Sequence, residues 1–504
     1  MDFLSAFLSG FHIALDPMNL FYCFSGAILG TLIGVLPGLG PAPTIALLLP
    51  ITFRLGPVQS TIMLAGIYYG AMYGGSTTSI LVNIPGEAAS VVTCLDGYEM
   101  AKKGRAGPAL GISAFGSFIG GTLSVLGLML LAKPLAGVAL KFGPPEYFGI
   151  LCLGLTLVIY LAQKSILKSL IMASFGLALG VVGMDIVTGD VRFGFGIAEL
   201  NDGVGLVPTL MGLFGISEVI LNLEKEMRID FIKSKINNLL PTLRDWADSK
   251  MAIARGTIIG FLLGILPGGG SIVASFVSYA LEKKFSRHPE KFGTGVIEGV
   301  AAPETANNAA SGGAFIPLFA LGIPANVTMA LLLTCLMIHG LQPGPTLINL
   351  HPDVFWGTVG SMYIGNIMCL IFNLPMIGVW VQVLRVPYKL LFPLIILFCT
   401  IGAYSVNNST FDIFLMLFFG VLGYIFRKLE FELPPLVLAF ILGPMLETAL
   451  RQSLILSKGS FMIFFTRPIA GVAMGFIFVS LVLSAIPGLK TLRKKVIEEK
   501  EEEF

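Results

Sequence analysis

Charge is what this 504-residue chain has least of: 12% of its residues are Asp, Glu, Lys or Arg, while 55% are hydrophobic. A soluble domain carries roughly 25% charged residues. The mean hydropathy is +0.86. So long an apolar chain cannot be one soluble core, because cores stop growing at about 250–300 residues. It reads as an all-α polytopic membrane protein. Spans need about 20 apolar residues each, which leaves room for roughly ten to twelve.

Cysteine is scarce as well. Cys23, Cys94, Cys152, Cys335, Cys369 and Cys399 are scattered, mostly in apolar runs, with no CxxC pair. Neither a metal site nor a disulfide framework is indicated, and they read as small hydrophobes within spans. His12, His288, His339 and His351 lie far apart and form no HExxH; there is no GxxxxGK[ST] loop and no paired-Asp motif. These absences speak against an enzyme and against ATP-driven transport by this chain. No catalytic residue and no cofactor are expected. The first residues, MDFLSAFLSGFHIALDPMNL, hold no Lys or Arg. They lack the basic start of a cleaved signal peptide and read as a short surface helix. A net charge of +2 is silent about partners, and none of nucleic acid is expected.

Glycine and proline, by contrast, occur where a simple span would avoid them. GAILGTLIGVLPGLG (Gly26–Gly40) returns as GTIIGFLLGILPGGG (Gly256–Gly270). Gly26, Gly30, Gly34, Pro37, Gly38 and Gly40 match Gly256, Gly260, Gly264, Pro267, Gly268 and Gly270 at a constant offset of 230 (26 to 256). Weaker echoes follow: YGGSTTSILVNIPGEAAS (Tyr73–Ser90) with SGGAFIPLFALGIPANVT (Ser311–Thr328), and MASFGLALG (Met172–Gly180) with MLFFGVLG (Met416–Gly423). Internal repeats in a membrane protein usually mean a transporter. The expected organisation is a first repeat over 1–223, a charged cytoplasmic linker over 224–250, a second repeat over 251–489 and a charged cytoplasmic tail over 490–504.

Lys and Arg mark cytoplasmic loops, and equivalent loops of the two halves differ in them. FRLGPVQS has only Arg54, whereas EKKFSRHPEK has Lys283, Lys284, Arg287 and Lys291. One loop later DGYEMAKKGR carries Lys102, Lys103 and Arg105, whereas LQPGPTLINLHPD carries none. The basic AQKSILK and the neutral YSVNNST repeat the contrast. The halves are therefore expected to be inverted, with the linker and tail inside.

The arms around each Gly/Pro break, such as Ile253–Leu266 and Ser271–Leu281, are about a dozen residues and too short to span. Re-entrant hairpins near 26–53 and 251–281 are expected, with tips at Pro37-Gly38-Leu39-Gly40 and Pro267-Gly268-Gly269-Gly270-Ser271. Broken backbone at membrane depth must line protein or a wet cavity. Its N–H groups suit an anion and its carbonyls a cation. Gly26, Gly30 and Gly34, four apart, fit close helix packing as well.

Polar residues between apolar runs complete the candidate binding set: Gly75, Ser76, Thr77, Thr78, Asn83, Pro85 and Gly86 in the first half, and Glu304, Thr305, Asn307, Asn308 and Ser311 in the second. Polar groups at membrane depth are costly and usually functional. Glu298 and Glu304 are candidates for proton or Na⁺ coupling. Glu87 is expected at an interface, and Arg54 and Lys102 as interface anchors. There is no firm metal site; Na⁺ at the hairpin tips is the candidate.

GVLPGLGP, GAMYGGSTTSILVNIPG, GILPGGG and APETANNAASGG together resemble the signature segments of the TctA family, the large membrane subunit of tripartite tricarboxylate transporters. The resemblance covers nearly the whole chain. It implies a secondary transporter of the bacterial inner membrane, driven by Na⁺ or H⁺ rather than ATP. It also implies a small TctB-like membrane subunit, a periplasmic TctC-like solute-binding protein, and a tricarboxylate or dicarboxylate such as citrate. Function carries over to Pro37-Gly38, Gly74–Thr78, Asn83–Gly86, Pro267–Gly270 and Pro303–Asn308. The second half departs from the first where Gly-Gly-Ser-Thr-Thr becomes Gly312-Gly313-Ala314-Phe315-Ile316, so the halves are not expected to hold identical ligands. Asn307 and Asn308 are expected to supply the missing polar groups. A stand-alone ion-coupled anion transporter and an ion channel remain the alternatives. An elevator-like motion of the hairpins against a static scaffold is a further expectation.

Overall fold

A computed structural model describes residues 3–36, 40–160, 165–185, 188–224, 238–268, 270–384 and 388–485. Of the predicted site residues, Pro37, Gly38 and Gly269 lie outside the described residues, as do 225–237 of the linker and the tail 490–504.

The chain runs through α1 (Phe3–Ala14), α2 (Pro17–Val35), α3 (Pro41–Thr52), α4 (Pro57–Val82), α5 (Val91–Lys102), α6 (Ala106–Ala139), α7 (Pro144–Tyr160) and α8 (Ile166–Gly180). A short antiparallel pair follows, β1 (Gly183–Met184) with β2 (Val191–Arg192). Then come α9 (Leu206–Leu210), a π turn and α10 (Ser217–Glu224), α11 (Leu243–Ile265), α12 (Gly270–Phe285), α13 (Glu298–Gly313), α14 (Phe315–Leu321) and α15 (Val327–Ile338). The last are α16 (Leu347–Leu350), α17 (Pro352–Asn373), α18 (Ile377–Val383), α19 (Tyr388–Asn407), α20 (Thr410–Lys428), α21 (Leu433–Leu456), α22 (Ile463–Thr466) and α23 (Pro468–Ala485). Proline places many of the starts. Pro17, Pro41, Pro57 and Pro352 sit in a first turn, where the missing N–H has no helical partner to lose.

Six described segments are long and apolar enough to cross a bilayer: Pro17–Val35, Ala106–Ala139, Leu206–Glu224, Pro352–Asn373, Thr410–Lys428 and Leu433–Leu456. Seven further apolar helices have 10–17 residues. The 12-residue helices α3 and α15 rise about 18 Å, less than the roughly 30 Å of a hydrocarbon core.

The chain forms two compact units, one of Met1–Ala139 with Leu206–Tyr424, the other of Leu140–Gly205 with Ile425–Phe504. Each unit draws on both halves of the sequence. In the second unit α8 packs on α21 and α7 on α23, and a Cβ on Gly176 would run into the Leu436 carbonyl. Arg192 grips Glu447 with two bonds of 2.7 and 3.1 Å, and Arg451 grips Asp185 with bonds of 3.1 and 2.8 Å. These pairs staple the 185–192 turn to α21.

In the first unit the glycine stripes explain themselves. Cβ atoms on Gly26, Gly30 and Gly34 of α2 would strike the carbonyls of Met63, Ile67 and Ala71 on α4. Cβ atoms on Gly256, Gly260 and Gly264 of α11 would strike those of Ala302, Ala306 and Ala310 on α13. The three contacted positions are offset by 239 in each case (63 to 302, 67 to 306, 71 to 310). Small residues let the backbones close to van der Waals distance, which is the main source of helix adhesion where lipid is as apolar as leucine.

The second hairpin differs from its sequence reading in one respect. α11 has 23 residues rather than about a dozen, and starts at Leu243 inside the charged stretch. Thr242 and Asp245 form a capping box there, which satisfies the first N–H groups. Arg105 binds Asp245, and Trp246 packs on Phe115 at 5.5 Å between ring centroids. Arm length therefore does not define this hairpin; side-chain pairing does. Arg255 and Glu282, roughly equidistant from the tip, join through bonds of 2.8 and 2.6 Å, so α11 and α12 run antiparallel.

Candidate functional site

Both halves break in the same way. α4 ends at Asn83, which adopts a left-handed φ of 55°, and Ile84-Pro85 follows. α14 ends at Gly322, with φ 72°, and Ile323-Pro324 follows. Proline removes the N–H needed to continue and disfavours helix in the residue before it. After each Pro one small residue leads to a cap. Glu87 accepts the Ala89 N–H at 2.8 Å and starts the turn Ala88–Ser90 ahead of α5. Asn326 accepts the Met329 N–H at 3.0 Å and starts α15. Asn83 and Gly322, Pro85 and Pro324, Glu87 and Asn326 share the offset of 239 (83 to 322).

The hairpins meet these breaks. The Gly268 N–H donates to the Ala325 carbonyl at 2.9 Å. In the first half the end of α2 takes the corresponding place: a Cβ on Gly86 would collide with the Gly34 carbonyl, and Gly75 lies beside it. Gly268 (φ 79°) and Gly270 (φ 53°) provide left-handed backbone at the second tip, which only glycine adopts freely. Gly40 caps α3 and is half-buried.

Side chains from different segments then converge. Tyr68 of α4 is fully buried; it accepts a bond from Asn326 Nδ2 at 3.1 Å, and the buried Ser271 at the start of α12 lies near its hydroxyl. One tyrosine thus bonds the start of α15 and sits close to that of α12. Ser79 and Ser90 pair at 3.0 Å, and the Gly75 carbonyl accepts from Thr78, Ser79 and Ser90. On α13, Glu304 is sealed from solvent. It accepts bonds from Thr93 of α5 and from Asn307 Nδ2, the latter at 3.3 Å. Asn308 Nδ2 donates to the Glu304 carbonyl at 3.1 Å.

On α13 Glu304, Asn307 and Asn308 are hydrogen-bonded to one another, and Ser271 is buried at the start of α12. Ser76, Thr77, Thr305 and Ser311 are buried too, while Pro85, Pro267 and Gly268 are half-buried around the breaks. The hydroxyls of Ser76, Thr78 and Ser311 bond to carbonyls of their own helices. Asn83 caps α4 with an exposed side chain. Glu87, expected at an interface, is only 7% exposed. Tyr68, Ser90, Thr93 and Asn326 were not anticipated. The repeat alignment could have flagged Asn326, which occupies the position of Glu87.

A helical chain with six apolar segments long enough to span, broken helices meeting on buried polar groups, and glycine-packed hairpins defines a multi-pass membrane protein of the transporter type. The profile described as the Tripartite tricarboxylate transporter TctA family matches residues 20–438, and the chain belongs to that family, the large membrane subunit of such transporters. It is 50% identical over 501 residues to an uncharacterized 52.8 kDa protein in the TAR-I ttuC' 3' region of Agrobacterium vitis, covering 99% of this chain and 100% of that one. It is 48% identical over 240 residues to an uncharacterized protein in the TAR-II ttuC' 3' region of the same organism, covering 48% of this chain and 99% of that one. No solved structure matches.

Proposed function

We propose that this chain carries out secondary active uptake of a tricarboxylate or dicarboxylate, citrate being one example, across a bacterial inner membrane. A periplasmic TctC-like binding protein delivers the substrate, a TctB-like small subunit completes the membrane complex, and an inward Na⁺ or H⁺ gradient drives accumulation. The observation that supports this most is the meeting at Tyr68, whose hydroxyl accepts from Asn326 at the start of α15 with Ser271 of the α12 start nearby. Helix starts offer N–H groups and positive dipole ends to an anion. Ser271, Asn326 and Gly270 stand at those starts and are the proposed carboxylate contacts. Pro267 and Gly268 shape the tip, and Ser76, Thr77, Asn307 and Asn308 supply polar surface behind it. The hairpins and breaks would move with the substrate as an elevator against a static scaffold.

Uptake of a panel of radiolabelled carboxylates into proteoliposomes, with Na⁺ varied at fixed pH, tests the reading. Asn307→Ala and Ser76→Ala are expected to lower affinity or rate. Unchanged kinetics in both would remove those residues from the site. Ohmic current without binding protein would point to a channel. Cysteines engineered on a hairpin and on the scaffold should cross-link in one state only; an invariant distance would exclude the elevator.

A further inference from the structure

Among the described residues, two buried carboxylates near this site have no basic partner. Glu87 is 7% exposed and Glu304 is 0% exposed. No Lys or Arg occurs between Arg54 and Lys102, or between Lys291 and Arg385, the stretches that carry them. In the same unit Asp245 is matched by Arg105 and Glu282 by Arg255. Asp96 is covered by the Tyr279 hydroxyl and the N–H groups of Gly293, Gly295 and Val296.

Glu87 and Glu304 are covered less well. The Glu87 Oε2 accepts one N–H, and its buried Oε1 has no hydrogen-bond partner. Among the described residues Glu304 accepts from the neutral Thr93 and Asn307, with the neutral Ser113 of α6 nearby. A second buried acceptor, Asn308 Oδ1, also lacks a donor one turn along α13. The turn Ala88–Ser90 packs on α13, and the two carboxyls lie within electrostatic reach of each other. The other titratable groups in reach are neutral ones, Tyr68 of α4 beside Glu87 and Cys94 of α5 beside Glu304.

Two neighbouring carboxylates away from water cannot both stay ionised without a positive charge between them. The surrounding oxygens, from Ser79, Ser90, Thr93 and Asn308, are hard donors of the kind that suit a hard cation. We propose that Glu87 and Glu304 together hold one monovalent cation, Na⁺ or H⁺, and that this is the coupling ion. The role as coupling ion rests on the transport reading; the binding site does not.

Equilibrium binding of radiolabelled Na⁺ to the purified full chain in detergent reads the site without transport. Saturable binding of one Na⁺ per chain is expected. Glu87→Gln and Glu304→Gln should each weaken it by at least about tenfold, a loss of more than one unit in log affinity. Glu87→Asp, which keeps the charge and the cap, should restore much of it, and a monodisperse elution profile checks that each variant folds. If no Na⁺ binds, the cation is H⁺. Accumulation driven by a pH gradient should then be lost in Glu87→Gln, while substrate counterflow persists. Na⁺ binding or proton-driven accumulation equal to wild type in both Gln variants would overturn the proposal. So would a wild-type chain that shows neither. Na⁺ binding lost in the variants, in a protein that moves no carboxylate, would uphold the site and refute the transport reading.

Discussion

Removing the carboxylate of Asp96 should loosen the junction between α5, α12 and the start of α13. Asp96 is fully buried, although its sequence context, DGYEMAKKGR, reads as a surface loop. Oδ2 accepts the Tyr279 hydroxyl at 2.8 Å. Oδ1 accepts the N–H groups of Gly295 at 2.7 Å and Val296 at 2.9 Å, and the Gly293 N–H bridges both oxygens at 3.0 and 3.1 Å. Asp96→Ala strands four donors. The backbone donors lie in a half-buried loop that water can partly reach, so about 1 kcal/mol each is a fair cost, with about 1–2 for Tyr279. The total is about 4–5 kcal/mol. Asp96→Asn keeps Oδ1, and the Tyr279 hydroxyl can turn to accept from Nδ2, so only charge assistance is lost, about 1–2 kcal/mol. Tyr279→Phe removes one bond, about 1 kcal/mol. Denaturant unfolding of the purified protein in mixed micelles would give the ranking Ala far below Asn, with Asn near or below Phe. Hydrogen exchange should show faster exchange at Gly293, Gly295 and Val296 in the Ala variant. An Ala variant within about 1 kcal/mol of wild type, with those amides still protected, would refute the reasoning.

Gly260→Ala should destabilise by about 1–3 kcal/mol in the same unfolding assay, because its Cβ meets the Ala306 backbone and overpacking at that level is costly. Gly475→Ala in α23, where a Cβ meets nothing within 4 Å, should be neutral or stabilising by up to about 1 kcal/mol. Arg255→Ala should cost about 2 kcal/mol, since it leaves the 4%-exposed Glu282 unpaired while part of its own site stays open to water. Arg255→Ala combined with Glu282→Met should recover much of that loss. Arg451→Ala should loosen the 185–192 turn, read as faster amide exchange at Thr188 and Gly189, with Arg192 retaining its grip on Glu447.

The glycine stripes of α2 and α11 were legible because their signals are local. A glycine every four residues and a Pro-Gly at one end survive in the bare sequence, and their recurrence at a fixed offset betrays the repeat. The partners of those glycines were not legible: Met63, Ile67 and Ala71 are met through backbone carbonyls, which leave no side-chain signature. The reach of α11 was hidden by charge. Arg244, Asp245 and Asp248 look like linker, yet a capping box makes them the first turns of a helix. Glu87 follows Pro-Gly, which suggests an interface; the structure adds that the break folds inward and its carboxylate caps a buried turn. The two units could not be read from sequence order either. Each takes elements from both halves, as when α8 packs on α21 and Gly420 of α20 packs on Ile216. Of the polar candidates, Glu304, Asn307 and Asn308 were found by their contrast with apolar neighbours. Tyr68 was not, because a tyrosine in an apolar helix looks like packing until its hydroxyl is seen to bond Asn326 at a helix start.

The proposed movement of a carboxylate handed over by a binding protein has a direct test. Proteoliposomes holding the chain with its small membrane subunit, under an inward Na⁺ or H⁺ gradient, would be scored for accumulation of radiolabelled carboxylate with and without the loaded periplasmic protein. Accumulation above the external concentration that needs both the gradient and the binding protein is expected. Accumulation that persists undiminished without the binding protein, or equilibration indifferent to the gradient, would contradict it.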